Sequence, residues 1–415
     1  MLAQPHNAIP FDLLKPQYRY YDYEFERYWH FFQTFGRLGY NPETSPEVWQ
    51  KEFERRFGKK AAPFVEKALH QASWILPRIV ASVYHYNSSF PTTRGWAEKQ
   101  RLEDLPIYAA GEGSDIQVFT SFDEEAQMLI EGGETTKILP SASSRWFEQT
   151  SMDINKLIDE AEKAIGNNRN KEFDSTMTDF KILSNLALYH SRRIPAAVNY
   201  CLFEHTKDVS TLNEAIAHER SAIEAWKQIV DAADDIYADD IMMGVRKVTR
   251  GDENFKWVKE LSGHWKDELV LLEKGLKTLE QKRKDFRADS IVRTAPRYKV
   301  AASADNSHLF QIIHQPVTSA PIDKPLKVSV RVSATLGVKW VRMRYRSVNQ
   351  HEDYQTMQMA LTVEKDVYQT IVPAGQINPK YDFMYFIEVM DNADNGTIYP
   401  NLNKETPYII VKLVR

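Results

Sequence analysis

Apolar residues recur at intervals of three and four over most of the chain, then at intervals of two towards its end. The first spacing lines one face of a helix and the second lines one face of a strand. Over 22–35, Phe25, Tyr28, Trp29, Phe32 and Phe35 predict a helix that Gly36 and Gly39 end. Ser45, Pro46 and Glu47 form a helix-start signal. Val48, Trp49, Phe53 and Phe57 follow as the buried stripe, and Gly58 is the expected stop. Over 61–84 a third helix turns Val65, Ala68, Ala72, Leu76, Ile79 and Val83 inward, with a kink expected at Pro77.

The stretch 87–145 loses this period, with "NSSFPTTRGW", "GEGSD" and "EGGETTK" reading as an irregular loop region. Helices resume beyond it. Ser151 is placed as the cap of one reaching Ile165, and 173–190 with 194–205 read as a pair or one helix kinked at Pro195. Thr211 and Glu214 have capping-box spacing ahead of a long periodic run to Tyr237, and Trp265, Leu269, Leu272, Leu276 and Leu279 mark the last helix. At about Asp289 the pattern changes to short alternating runs such as "LKVSVRVSA", "VKWVRMRYRS" and "FMYFIEVMD", separated by turn residues. The fold class expected is multidomain, α then β: a linker or frayed terminus over 1–17, an all-α helical array over 18–288, and an Ig/fibronectin-like β-sandwich over 296–415.

Composition narrows the function classes. The 415 residues carry 53 basic and 57 acidic side chains, a net charge of −4, which gives no basic field for nucleic acid. The single Cys201 allows no internal disulfide and no cysteine-based zinc site, and neither a cofactor nor a metal is expected. No apolar run is long enough to span a membrane, and the N-terminus lacks the basic-then-apolar form of a secretory signal. That leaves a cytoplasmic protein or the mature or trimmed piece of an exported one.

Three constellations could carry chemistry. In "YDYEFERYWHFFQTFGRLGYNPETSPEVWQ", Trp29, His30, Arg37 and Tyr40 could form a polar-aromatic patch that stacks sugar rings and bonds their hydroxyls. The same aromatic face would equally serve as a core-facing wall, the commoner use of helical aromatics. In "DDIYADDIMMG", Asp235 and Asp239 share a helix face, with Asp240 beside them, and a carboxylate pair is the core of glycoside hydrolysis. A solvated helix end accounts for the same acids. In "SGHWKDEL", His264 and Trp265 sit at a helix start, again a substrate-facing pair or a structural one.

The blocks "FERYWHFFQTFGRLGYNPETSPEVWQKEFERRFG" and "ALYHSRRIPAAVNYCLFEHTKD" through "GHWKDELVLLEKGLKTLE" resemble the C-terminal helical region of large Bacteroidetes-type glycan-degrading proteins, with α-glucuronidase-like glycoside hydrolases as named relatives. "GRLGYNP" is the most distinctive part. The resemblance implies a poly- or oligosaccharide partner, a catalytic barrel upstream, and a periplasmic or cell-surface location. No barrel pattern is visible in this chain, so the catalytic carboxylates of such relatives map onto none of its residues. The function expected is a C-terminal accessory portion that supports or lines a glycan-binding cleft. The alternatives are an independent glycoside hydrolase with its acids in the helical region, or a non-catalytic glycan-binding scaffold.

Overall fold

The computed structural model describes residues 13–84, 104–239, 241–242, 262–287, 293–402 and 406–414. Most of the proline-bearing start, the "NSSFPTTRGW" stretch, Asp240 and the composition change at Asp289 lie outside the described residues. The helices are α1 (Glu24–Arg27), α2 (Trp29–Tyr40), α3 (Glu47–Ala72), α4 (Ile75–Ser82), α5 (Leu105–Ala109), α6 (Phe122–Glu131), α7 (Pro140–Ile165), α8 (Lys171–Thr206), α9 (Val209–Ala233) and α10 (Trp265–Asp285). A small antiparallel pair, β1 (Ile241–Met242) and β2 (Ser262–Gly263), lies between α9 and α10.

Helix α8 is the axis of the helical region, packed against α5, α6, α7 and α9. It runs unbroken through Pro195. A proline cannot donate to the carbonyl four residues back. Here that carbonyl, Ser191 O, accepts instead from Ser144 Oγ of α7 at 2.7 Å. Beside it, Arg193 and Glu219 of α9 form a fully buried ion pair at 3.0 Å, and the guanidinium lies 4.5 Å from the Tyr108 ring centre.

Several expected boundaries shift. Ser151 is not a cap: α7 starts at Pro140, which needs no N–H in the first turn, and Ser151 is buried mid-helix against Ser184 Oγ at 3.0 Å. Asp208, not Thr211, caps α9 by accepting from Ser210 N at 2.9 Å. The stop expected at Gly58 is present: with φ 73° and ψ 153° it is non-helical, and α3 is two helical segments joined across the kink there. Pro77 lies in the first turn of α4, where its missing donor costs nothing. Within the stretch read as irregular, α5 and α6 form, α6 closed by a full capping box between Ser121 and Glu124.

Helix α2 departs most from expectation. It continues past Gly36 and Gly39 to Tyr40 and has no buried residue. Its half-buried positions are Trp29, His30, Gln33 and Thr34, whereas Phe31, Phe32, Phe35 and Leu38 are exposed. The polar side of the helix therefore faces the protein and the aromatic side faces outward, the reverse of a surface helix on its own core.

The C-terminal strands are β3 (Phe310–Ile313), β4 (Ser319–Pro321), β5 (Leu326–Ala334), β6 (Val338–Ser347), β7 (Gln355–Gln358), β8 (Ala360–Leu361), β9 (Val367–Val372), β10 (Phe383–Asp391), β11 (Gly396–Tyr399) and β12 (Ile409–Val414). One sheet has the order β4-β12-β10-β6-β7 with β11 also on β10; the other has the order β3-β5-β9-β8. Only β4–β12 is parallel among the described pairs. Val328, Val330 and Val332 of β5 share a core with Val341, Met343, Tyr385, Ile387 and Val389 from the opposite sheet. The chain is thus an α-helical region followed by a two-sheet β region.

Strand β10 is buried on both faces. One face fills the sandwich; the other carries Glu388, which accepts from Thr136 Oγ1 at 3.0 Å. Lys339 Nζ and Trp340 Nε1 reach Glu134 at 2.6 and 2.9 Å, so the α6–α7 connection docks the helices on the sheet. Gly396 meets the same connection. A Cβ there would lie 2.3 Å from Thr135 O.

Candidate functional site

Beneath α2 lies a cavity of about 790 Å³, walled by α2, α3 and α8. The polar inward face of α2 brings Trp29 and His30 to it, and α3 brings Trp49, Phe53, Glu66 and His70. Along α8, Glu172, Thr176 and Asp179 follow at helical spacing on one face and complete the lining. The Trp29 and His30 rings sit edge-on to Phe53, centres 5.0 and 5.1 Å away, and His30 is 6.5 Å from Trp49.

The charges on the α8 side are held. Trp29 Nε1 donates to Glu172 Oε1 at 3.2 Å, Arg56 Nη1 donates to the same oxygen at 2.7 Å, and the Arg56 guanidinium covers the Trp29 ring at 4.5 Å. Arg27 Nη2 donates to both Asp179 oxygens, at 2.8 and 2.7 Å, and to Tyr237 Oη at 2.7 Å. On the α3 side, no such cation pairs with Glu66 among the described residues. Burial raises its pKa, against the pull of Gln50, His70 and Trp49. Burial also lowers the His30 pKa, and His30 Nδ1 is buried without a hydrogen-bond partner. Indole and phenyl walls beside carboxylates, imidazoles and the Arg27 guanidinium can stack a sugar ring and hydrogen-bond its hydroxyls.

The other residues singled out from sequence lie elsewhere. Arg37 is exposed and Tyr40 is 92% exposed, both away from the cavity. Asp235 and Asp239 are not on a helix face, because α9 ends at Ala233 and Asp234 turns the chain with φ 23°. Both acids are exposed and meet one cation: Asp235 pairs with Lys15, which is 3.6 Å from Asp239. The Lys15 hydrogen bond lowers the Asp235 pKa, the opposite of what a general acid requires. His264 caps α10, its Nδ1 accepting from Lys266 N at 3.2 Å, with its pKa lowered by burial. Trp265 is buried edge-on to Tyr237 at 5.1 Å, and its carbonyl accepts from Trp226 Nε1 at 3.0 Å. Of the nine candidates, only Trp29 and His30 share this cavity; Asp240 lies outside the described residues.

Glu66, Glu172 and Asp179 were not singled out from sequence. Their signal was present: Glu66 and His70 are four apart, and Glu172 and Asp179 are seven apart, on helices whose other faces are apolar. A smaller cavity, about 260 Å³, lies where the α6–α7 connection meets the β region. Glu125 lines it, with Oε2 accepting from Ser141 N at 3.0 Å, and burial pushes its pKa up to about 7.

No family model matches this chain, and no curated protein does. Among solved structures it is similar to a GH138 enzyme targeting pectin rhamnogalacturonan II, with a TM-score of 0.54 and 14% identity. The match covers 66% of this chain and 40% of that one. The likeness is therefore one of fold: this arrangement of elements also occurs within a larger glycoside hydrolase structure.

Proposed function

We propose that the chain is an accessory portion of a carbohydrate-active enzyme, with the cavity beneath α2 as its glycan-facing site. The observation that carries this reading is the fold shared with a GH138 enzyme, of which the match spans 40%. That enzyme has more chain than the match accounts for, which fits a role beside a separate catalytic domain. Among the described residues no strand–helix alternation of a barrel occurs, and the acid pair at Asp235 and Asp239 is tied to Lys15. The aromatic cavity with Glu66 and His70 suits binding of sugar rings. An exported, periplasmic or cell-surface location and a domain division between residues 288 and 296 belong to the same proposal.

The test uses variants. Trp49→Ala and Glu66→Gln should each weaken binding of pectin-derived oligosaccharides about tenfold or more, with the circular dichroism spectrum unchanged. Asp235→Asn and Asp239→Asn should leave both binding and fold as they are. Loss of a measurable hydrolytic activity on Asp235→Asn or Glu66→Gln would instead select the independent glycoside hydrolase. Binding that ignores the Trp49 and Glu66 changes would remove this cavity from the account.

A further inference from the structure

We infer that one end of the β region carries a second saccharide site, in a cleft of about 420 Å³ between the β6–β7 loop and the β9–β10 connection. The inference rests on the proposed glycan role for its class of ligand. It does not rest on the cavity beneath α2, with which the cleft shares no residue.

Tyr345, Arg346, Asp353, Tyr354, Gln355 and Gln376 line the cleft. The alternation of β6 turns Val341, Met343 and Tyr345 into the sandwich core. Tyr345 is the last of this set, buried and stacked on Phe383 with ring centres 5.3 Å apart. Its register partner on β7 is Gln355, and the short 3-10 turn Ala374–Gln376 supplies Gln376. The end of a rigid strand thus meets side chains from two connections, where binding residues on a sandwich commonly gather.

Unmet hydrogen-bonding capacity identifies the ligand class. Tyr345 Oη lies 2.8 Å from the side-chain amides of both Gln355 and Gln376. A phenol has one proton, so only one amide can accept it, and the other must turn its NH2 to the phenol oxygen. One glutamine then keeps a free NH2 and the other a free carbonyl, a donor beside an acceptor. Neither amide has another hydrogen-bond partner among the described residues. Arg346 adds an Nε–H that is buried without a partner among the described residues. Its Nη1 donates to Glu352 O at 2.9 Å, and its guanidinium lies 4.5 Å from the Tyr354 ring centre. The Glu352 carboxylate fixes the loop, accepting from Ser347 N at 3.3 Å and from Asn349 Nδ2 and Asn378 Nδ2 at 3.1 and 3.4 Å. A ligand therefore meets a loop already ordered, which lowers the cost of binding. Each sugar hydroxyl both donates and accepts, so an amide donor next to an amide acceptor matches a pair of adjacent hydroxyls. A simple ion matches less well, because the cleft sets the Arg346 guanidinium among the Glu352 and Asp353 carboxylates and has no field of one sign.

The test is amide hydrogen exchange of the purified 415-residue chain with and without rhamnogalacturonan II oligosaccharides. Slowed exchange is expected over 347–356 and 374–378. Gln355 and Gln376 are exposed, so Gln355→Ala and Gln376→Ala together should leave the dichroism spectrum and any protection of α2 and α3 unchanged. The same pair of changes should raise the oligosaccharide concentration that half-protects the loops about tenfold, the loss of two modest hydrogen bonds. Protection confined to α2 and α3 overturns this site and leaves the cavity beneath α2; protection confined to the loops does the reverse. Loop protection that the double change leaves as strong overturns the inference, and protection of neither region overturns it together with the glycan role.

Discussion

Replacing Gly396 with alanine should loosen the joint between the helices and the β region. Gly396 opens β11, with a backbone conformation that alanine can adopt, so the effect rests on space alone. The added Cβ would lie 2.3 Å from Thr135 O and 2.6 Å from Thr136 Cα. Both neighbours are backbone atoms and cannot rotate away. Either β11 or the α6–α7 connection must move by about an ångström, and overpacking of this kind costs about 1–3 kcal/mol. The connection also carries the Thr136–Glu388 bond at 3.0 Å and the Trp340–Glu134 bond at 2.9 Å, which the same displacement stretches. At about 2–4 °C per kcal/mol for domains of this size, a cost near 2 kcal/mol lowers the melting temperature by about 4–8 °C. Calorimetry should show this drop, and amide exchange should rise over 134–137. A Gly396→Ala protein with the natural melting temperature and unchanged exchange there would refute the claim that this contact joins the two regions.

Other outcomes follow from burial. Trp226 is fully buried, so Trp226→Ala should cost about 3–5 kcal/mol by denaturant titration, whereas half-buried Trp29→Ala should cost clearly less. Glu125 has a folded pKa of about 7 against an ordinary value of 4.5. Below the lower value both states hold the proton. Between the two the unfolded chain releases it first, so stability falls as pH rises, by on the order of 3 kcal/mol in all, and then levels above pH about 7. Glu125→Gln should flatten that slope in melting temperature between about pH 4.5 and 8, and an unchanged slope would assign it to other groups. Residues 296–415 expressed alone should unfold cooperatively as a β protein, since their apolar cluster is distinct from the helical one; a disordered product would tie the sandwich to the helices.

Periodicity alone read most of the fold. The runs "LKVSVRVSA" and "VKWVRMRYRS" coincide with β5 and β6, because strict alternation has no helical counterpart. The long helices α8 and α9 were equally legible. What failed were rules that ask about one residue without its neighbours. Pro195 reads as a joint until Ser144 on another helix supplies the missing donor. Ser151 reads as a cap until the helix is seen to begin eleven residues earlier, at Pro140. The opening aromatic segment exposes a deeper limit: periodicity shows that a face is apolar but not which way it points. Phe32 and Phe35 are exposed and away from the cavity, while Trp29, His30 and Phe31 of the same helix line it. The acids at Asp235 and Asp239 were placed on a helix that stops short of them, since a helix end is poorly marked where no glycine or proline stands.

The most direct measurement of the central claim is a calorimetric titration of rhamnogalacturonan II oligosaccharides into the purified chain, with the cell contents then analysed for cleavage products. An accessory glycan-binding portion predicts a saturable heat of binding and oligosaccharides recovered intact. Cleaved products would make the chain an enzyme in its own right, and the absence of any binding heat would contradict the glycan reading altogether.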